Sequence, residues 1–184
     1  LYAPYIPPDN RHQNSNFLYP IKLIYWDLPN RQTTICIFLL YKIYLSEFTN
    51  SLSNPVILGI VDFQPLNGDI IIELASNLGF AMIDRMLGGQ GQPLDKARDF
   101  SEIEMIILEK LMVVCMQLMR EPWKNVIDIN PVMERIETNA QFAQVIAPSD
   151  MIAIVTMNVK IGDVEGHMNV CLPFFTLEDV MDKL

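Results

Sequence analysis

Val56-Ile57-Leu58-Gly59-Ile60-Val61-Asp62-Phe63, then Asn67-Gly68, then Asp69-Ile70-Ile71-Ile72-Glu73-Leu74 is the stretch whose reading decides the fold. Two apolar, β-branched runs flank the dipeptide that tight hairpin turns prefer, so the stretch predicts an antiparallel hairpin. A helix follows: Ser76 or Asn77 is placed to cap it, and Leu78, Ala81, Met82, Ile83 and Met86 make one apolar face. Gly88-Gly89 supplies its stop. Sliding the chain on itself by 98 positions lays Val56–Met86 over Ile154–Leu184 without a gap. Val61 then meets Val159, Gly68 meets Gly166, Leu74 meets Leu172 and Asp84 meets Asp182, with conservative matches such as Ile72 with Val170. The recurring order of hairpin, turn glycine and helix predicts a duplicated unit about a pseudo-twofold axis, its strands sharing one sheet.

Between the two copies, Gly88 to Phe100 is too rich in glycine and polar residues to form an element. Ser101-Glu102-Ile103-Glu104 reads as a capping box opening a helix that Pro122 stops near Arg120 or Glu121. Its polar residues Glu102, Glu109, Lys110, Gln117 and Arg120 form a narrow stripe, which predicts a helix buried over most of its circumference. Strands are expected over Val126–Ile129, Val132–Glu137, Met151–Ile161 and Gly166–Leu172. Thr176-Leu177-Glu178-Asp179 resembles a second capping box. Residues 1–43 stand apart, because Pro4, Pro7, Pro8, Pro20 and Pro29 break every apolar period, and Thr33–Tyr44 is the best strand candidate there. The expected division is therefore an atypical stretch over 1–43 and a domain over 44–184.

Composition narrows the function. The chain has 184 residues, 51% hydrophobic, enough for one sizeable core. Lys and Arg number 13 against 22 Asp and Glu, a net charge of -9, which disfavours nucleic acid and anionic lipid. The longest apolar run, Ile35–Tyr41, is far short of the roughly 20 residues that span a bilayer. Cys36, Cys115 and Cys171 lack CxxC spacing and read as buried reduced thiols of a cytosolic protein. The chain reads as a fragment cut at both ends, and its start does not resemble a signal peptide.

Few residues invite chemistry. Gly88-Gly89-Gln90-Gly91 follows the negative end of a helix and lacks a Lys-Ser or Lys-Thr pair, so a phosphate-cradling loop is disfavoured. It reads either as a helix terminator with a flexible loop or as a recognition loop, where glycine admits a partner's backbone and Pro93 limits freedom. His12 and His167 have no ligand-spaced neighbours, so no metal or cofactor is expected, and His167 is expected exposed after its turn glycine. No GxSxG, HExxH or Cys-His signature is present, so no catalytic residue is assigned. Met105, Met112, Met116 and Met119 fit core packing.

Ile83-Asp84-Arg85-Met86-Leu87-Gly88-Gly89-Gln90-Gly91-Gln92-Pro93, followed by the capping-box helix and Trp123-Lys124, resembles the middle domain of the FliM family of flagellar motor switch proteins. Glu47-Phe48 with Asn54-Pro55, Ile136-Glu137-Thr138-Asn139 with Gln141-Phe142-Ala143-Gln144, and Ile161-Gly162-Asp163-Val164-Glu165-Gly166 extend the resemblance over residues 44 to 184. It implies a CheC-like three-layer α/β/α sandwich with pseudo-twofold duplication around a mostly antiparallel sheet. Residues 1–43 lack the family's first helix and read as misframed, foreign or disordered.

The resemblance also implies a non-enzymatic rotor subunit at the cytoplasmic face of the inner membrane. It would bind the FliG middle domain through Arg85, Gly88, Gly89, Gln90, Gly91, Gln92 and Pro93, self-associate in a ring, respond to phosphorylated CheY, and meet FliN through regions outside this chain. There the glycines would admit the partner, Gln90 and Gln92 would hydrogen-bond to it, Pro93 would set the loop's exit, and Arg85 would be a rim cation. The rival reading is a CheC/CheX-type phosphatase of phospho-CheY. Its signature, Asp or Ser then Glu then Asn, meets Ser101, Met105 and Leu108 here, which cannot activate water. A weaker rival is a self-associating scaffold that leaves the loop unused.

Overall fold

A computed structural model describes residues 26–27, 33–94, 96, 98–139 and 146–183. The expected apolar runs, joined by a short strand at Trp26–Asp27 that the sequence did not predict, form one antiparallel sheet: β1 (Trp26–Asp27), β2 (Thr33–Tyr44), β3 (Ile57–Gln64), β4 (Asp69–Leu74), β5 (Asn130–Glu137), β6 (Met151–Ile161) and β7 (Val164–Pro173). Their spatial order is β1-β2-β6-β7-β4-β3-β5. The helices are α1 (Leu45–Ser51), α2 (Ser76–Met86), α3 (Glu102–Trp123) and α4 (Phe174–Leu177), which runs into a 3-10 segment over Glu178–Lys183. The fold is mixed α/β.

Helices cover both faces of the sheet because strand side chains alternate. In β3, Ile57, Val61 and Phe63 join α2, α3 and α4 in one core, while Leu58 and Ile60 join Leu45 and Phe48 of α1 in the other. In β4 and β7 the same split separates Ile70, Ile72, Val170 and Leu172 from Ile71 and Cys171. Both faces of these strands are covered, which is why they read as largely apolar runs, interrupted on the α1 face by Glu73 and Asn169. Phe63 meets Trp123 edge to face, with ring centres 5.2 Å apart.

The structure corrects several expectations. β2 pairs with β6 from Thr33 opposite Ile161 to Tyr44 opposite Met151, so the division drawn after residue 43 falls inside one strand. His12 and the proline-rich stretch before Trp26 lie outside the described residues. The β6–β7 turn is Gly162-Asp163, with Gly162 at φ +59°, and Gly166 lies within β7 opposite Val159. His167 is consequently half-buried in a strand, with its Nδ1 buried. Val126–Ile129 is irregular rather than a strand. Helix α3 runs through Pro122 to Trp123, since a proline in the last turn forfeits only one hydrogen bond.

Neither Ser76 nor Asn77 caps α2. Ala75 takes that place, while Ser76 Oγ donates to the Pro55 carbonyl at 2.5 Å and Asn77 Nδ2 to the Glu165 carbonyl at 2.9 Å. Likewise α4 starts after Pro173, and Thr176 is buried inside the helix with Oγ1 unpaired. For Ser76 and Asn77 a distant carbonyl outranks the local cap, whereas Thr176 is simply enclosed within the helix. Of α3, only Leu108, Met112 and Met116 are fully buried, and Ile103, Ile106 and Val114 are 72%, 56% and 58% exposed.

A polar ladder crosses the α1 face of the sheet. Asn169 on β7 donates from Nδ2 to Glu73 Oε2 on β4 at 2.6 Å and accepts from Thr156 Oγ1 on β6 at 2.6 Å. Burial pushes the Glu73 carboxyl up to about 7, partly offset by the Asn169 hydrogen bond. Because this lies above the ordinary 4.5, the folded state holds a proton that the unfolded state has lost. The resulting stability is full below pH 4.5 and is lost as pH rises through about 7. Urea unfolding is expected to give about 3 kcal/mol less stability at pH 8 than at pH 5 from this group, and Glu73→Gln is expected to remove that component.

Candidate functional site

The glycine-rich stretch begins as a helix terminator. In the last turn of α2, the Gly89 amide donates to the Asp84 carbonyl at 2.8 Å, and the Gly88 amide to Arg85 at 3.1 Å. With Gly88 at φ +95°, this is the Schellman arrangement, which satisfies carbonyls the helix leaves unpaired. Gly88 is exposed and a Cβ there would meet nothing within 4 Å, so its backbone is bare.

Beyond that turn the chain folds back on itself. The Asp84 carboxylate accepts from the Gly91 amide at 2.7 Å and the Gln92 amide at 3.4 Å. A Cβ on Gly89 would stand 2.2 Å from Asp84 Oδ1, so glycine there makes room for the carboxylate. Gly91 is buried at φ +75°, and a Cβ there would lie 3.1 Å from both Arg85 Cγ and Ile161 Cγ2. At Gly162 a Cβ would lie 2.9 Å from the Gln90 carbonyl, so the loop rests on the β6–β7 turn.

The expected site residues therefore separate. Gln90, Gln92 and Pro93 are exposed beside Gly88; Gly89 is half-buried and Gly91 is buried. Gly91 thus offers no bare peptide to a partner, contrary to expectation, because Arg85 and Ile161 cover it. Arg85 is half-buried, with its stem along Gly91. Sequence reasoning missed Met86 and Leu87, which are 53% and 71% exposed on the same ridge. The apolar spacing assigns Met86 to the buried face of α2, but it falls in the last turn, beyond the covered part of the helix. No sequence signal marks Leu87, because an apolar residue at the end of a helical pattern reads as core.

The far end of the loop is anchored as well. Phe100 stacks on Phe80 of α2 with ring centres 3.9 Å apart, and Arg98 lies over Phe80 at 4.6 Å. Arg98 also holds Glu104 with two hydrogen bonds, at 2.6 and 2.8 Å. The capping box forms as expected: Ser101 Oγ accepts from the Glu104 amide, and Glu104 Oε2 accepts from the Ser101 amide. Arg98 is the first cause, and Ser101 a further one, of a Glu104 carboxyl held down to about 2. What this surface presents is an apolar ridge flanked by amide side chains, suited to protein contact.

At the positions of the phosphatase signature, Met105 is half-buried and Leu108 fully buried beneath α3. Neither supplies a group to orient water. Among the described residues, no cluster of three or more His, Cys, Asp or Glu side chains is placed to hold a metal. No helix among them is long and apolar enough to cross a membrane.

Three comparisons bear on this surface. The sequence model of the family described as flagellar motor switch protein FliM matches residues 29–184. A FliM from Borreliella burgdorferi is 45% identical over 139 residues, covering 75% of this chain and 40% of that protein. The crystal structure of a FliG–FliM complex from H. pylori superposes with a TM-score of 0.77 at 29% identity, covering 82% of each chain. The FliM middle domain from H. pylori gives 0.74 at 28% identity, covering 83% of this chain and 82% of that one. The chain spans about two-fifths of the length of the curated relatives it matches first.

Proposed function

The chain belongs to the FliM family of flagellar motor switch proteins and corresponds to its middle domain, and from that premise we propose that it docks the FliG middle domain through the ridge at the end of α2. The observation that carries this reading is the exposed Met86-Leu87-Gly88 turn, flanked by Gln90, Gln92 and Pro93 and held from below by Asp84 and the β6–β7 turn. That the H. pylori relative was crystallised with FliG supports it. In this reading the domain is a structural part of the rotor ring, at the cytoplasmic face of the inner membrane, with no enzymatic activity. It lies beside copies of itself, shifts its packing in response to phosphorylated CheY, and is joined to FliN through regions outside this chain.

Titration calorimetry with purified FliG middle domain tests the assignment. Leu87 is largely in solvent, so Leu87→Asp is expected to leave the melting temperature unchanged and to weaken binding about 30-fold, the loss of an apolar anchor. Unchanged affinity discards the ridge as the docking site.

The finer architecture belongs to the same reading: a three-layer α/β/α sandwich built from a duplicated unit. Support comes from the strand register. The order β2-β6-β7-β4-β3-β5 keeps its form when β2 is exchanged with β5, β6 with β3 and β7 with β4. Ile72 pairs with Val170, and the flanking pairs Ile71 with Cys171 and Glu73 with Asn169 are images of each other under a shift of 98. Ile72 also pairs with Gly59, and Val170 with Val155, which are 96 apart. The gap-free alignment therefore slips by two on the first strand of each hairpin. Bulges fall at Phe38 on β2 and Glu134 on β5, again 96 apart.

A further inference from the structure

We infer that Asp84 is the positioning residue of the docking loop: its carboxylate fixes the return of the chain at Gly91-Gln92, and so presents the ridge in the shape a partner recognises. The inference rests on the docking reading and deepens it. Asp84 lies in the last turn of α2, where the helix dipole disfavours a negative charge. Nor does the helix need the carboxylate to end, because the backbone bonds of Leu87, Gly88 and Gly89 to Ile83, Arg85 and Asp84 already close it. What the carboxylate does is accept the Gly91 and Gln92 amides, donors that a loop otherwise turns to water.

Two other features are shaped around that contact. Gly89 leaves vacant the space Asp84 fills, since any Cβ there stands 2.2 to 2.4 Å from the carboxylate atoms. Gly91 adopts φ +75° and is sealed by Arg85 and Ile161, which fixes its amide toward Asp84 rather than toward solvent. Of the three glycines, one therefore lines the surface and two build the latch. Asp84 itself touches no partner in this account; it acts through the loop.

The test uses the full chain with Asp84→Ala and Asp84→Asn, reading amide exchange at Gly91, melting temperature and affinity for the FliG middle domain. For Asp84→Ala the expected result is Gly91 exchange at least about tenfold faster, affinity about tenfold weaker and a melting temperature within about 3 °C of the parent. Asp84→Asn keeps an acceptor oxygen and is expected to restore most of both the protection and the affinity. Unchanged Gly91 exchange in Asp84→Ala overturns the latch without reference to any partner. Failure of Asp84→Asn to restore either readout overturns it too. Leu87→Asp, measured alongside, separates the two ideas. If Leu87→Asp loses affinity and Asp84→Ala does not, the role of Asp84 is overturned and the docking ridge stands. If neither loses affinity, the docking reading falls and takes the positioning role with it.

Discussion

Gly89→Asp is expected to weaken binding of the FliG middle domain by about 100-fold or more, while the melting temperature falls by no more than about 3 °C. The new side chain starts where the Asp84 carboxylate already is, so one of the two must leave. Two carboxylates at that distance repel, and both sit at the negative end of α2. The amides of Gly91 and Gln92 then lose their acceptor, and the loop no longer returns onto the Gly162 turn. Met86, Leu87, Gly88 and Gln90 remain present in sequence but not in arrangement. The buried residues of α2, namely Leu78, Gly79, Phe80, Ala81 and Ile83, all precede the turn, so the core is spared. Gly89→Ala is the milder form of the same insult, displacing Asp84 without adding charge. A calorimetric titration of each variant, with melting monitored by circular dichroism, reads both quantities. Retained affinity in Gly89→Asp means that the loop's shape is irrelevant to docking.

The second large effect lies in the core. Leu108→Ala is expected to cost about 3 kcal/mol in urea unfolding, within the range for a buried leucine truncated in a packed site. Leu108 is fully buried where α3 crosses α2, and a Cβ on Gly79 would lie 3.4 Å from its Cδ2, so the helices meet there with little space to collapse. Thermal melting is expected to fall by roughly 6–12 °C for a domain of this size. Ile106→Ala, on the exposed side of the same helix, is expected to stay within about 0.5 kcal/mol of the parent. Equal losses for the two contradict the assignment of the buried face.

What was legible in the sequence follows the strength of the local signal. The Ser101 to Glu104 box carries its own hydrogen bonds, and the structure forms them as read. Met151–Ile161 is a β-branched run whose bounds match the strand. Thr33–Tyr44 reads as a strand for the same reason, although the stretch before it is broken by prolines, and the strand has those bounds. Errors arose where a distant residue competes. Ser76 looks like a cap, yet its hydroxyl prefers the Pro55 carbonyl, and Thr176 looks like a cap but is buried in a helix begun by Pro173. Alignment with Gly68 points to Gly166 as the turn, while the turn is Gly162-Asp163, four residues earlier, where Gly162 takes the left-handed backbone.

For the site, the glycine spacing was visible but the division of labour was not. A glycine signals freedom of the backbone and does not say whether that freedom serves exposure, as at Gly88, or enclosure, as at Gly91. Leu87 and Asp84 were silent for opposite reasons. An exposed leucine in a helical pattern reads as core, and an aspartate near a helix end reads as solvated. The outer face of α3 reads as buried yet stands in solvent at Ile103, Ile106 and Val114, because apolar composition alone does not tell covered from exposed.

The central claim is that the ridge at the end of α2 is where FliG sits. Mapping amide chemical-shift changes in the isotope-labelled protein, as unlabelled FliG middle domain is added, tests it most directly. The largest changes are expected at Leu87, Gly88, Gln90 and Gln92, with the exposed side of α3 around Ile106, Val113 and Val114 unmoved. Changes confined to α3, with residues 86–92 silent, would contradict the account.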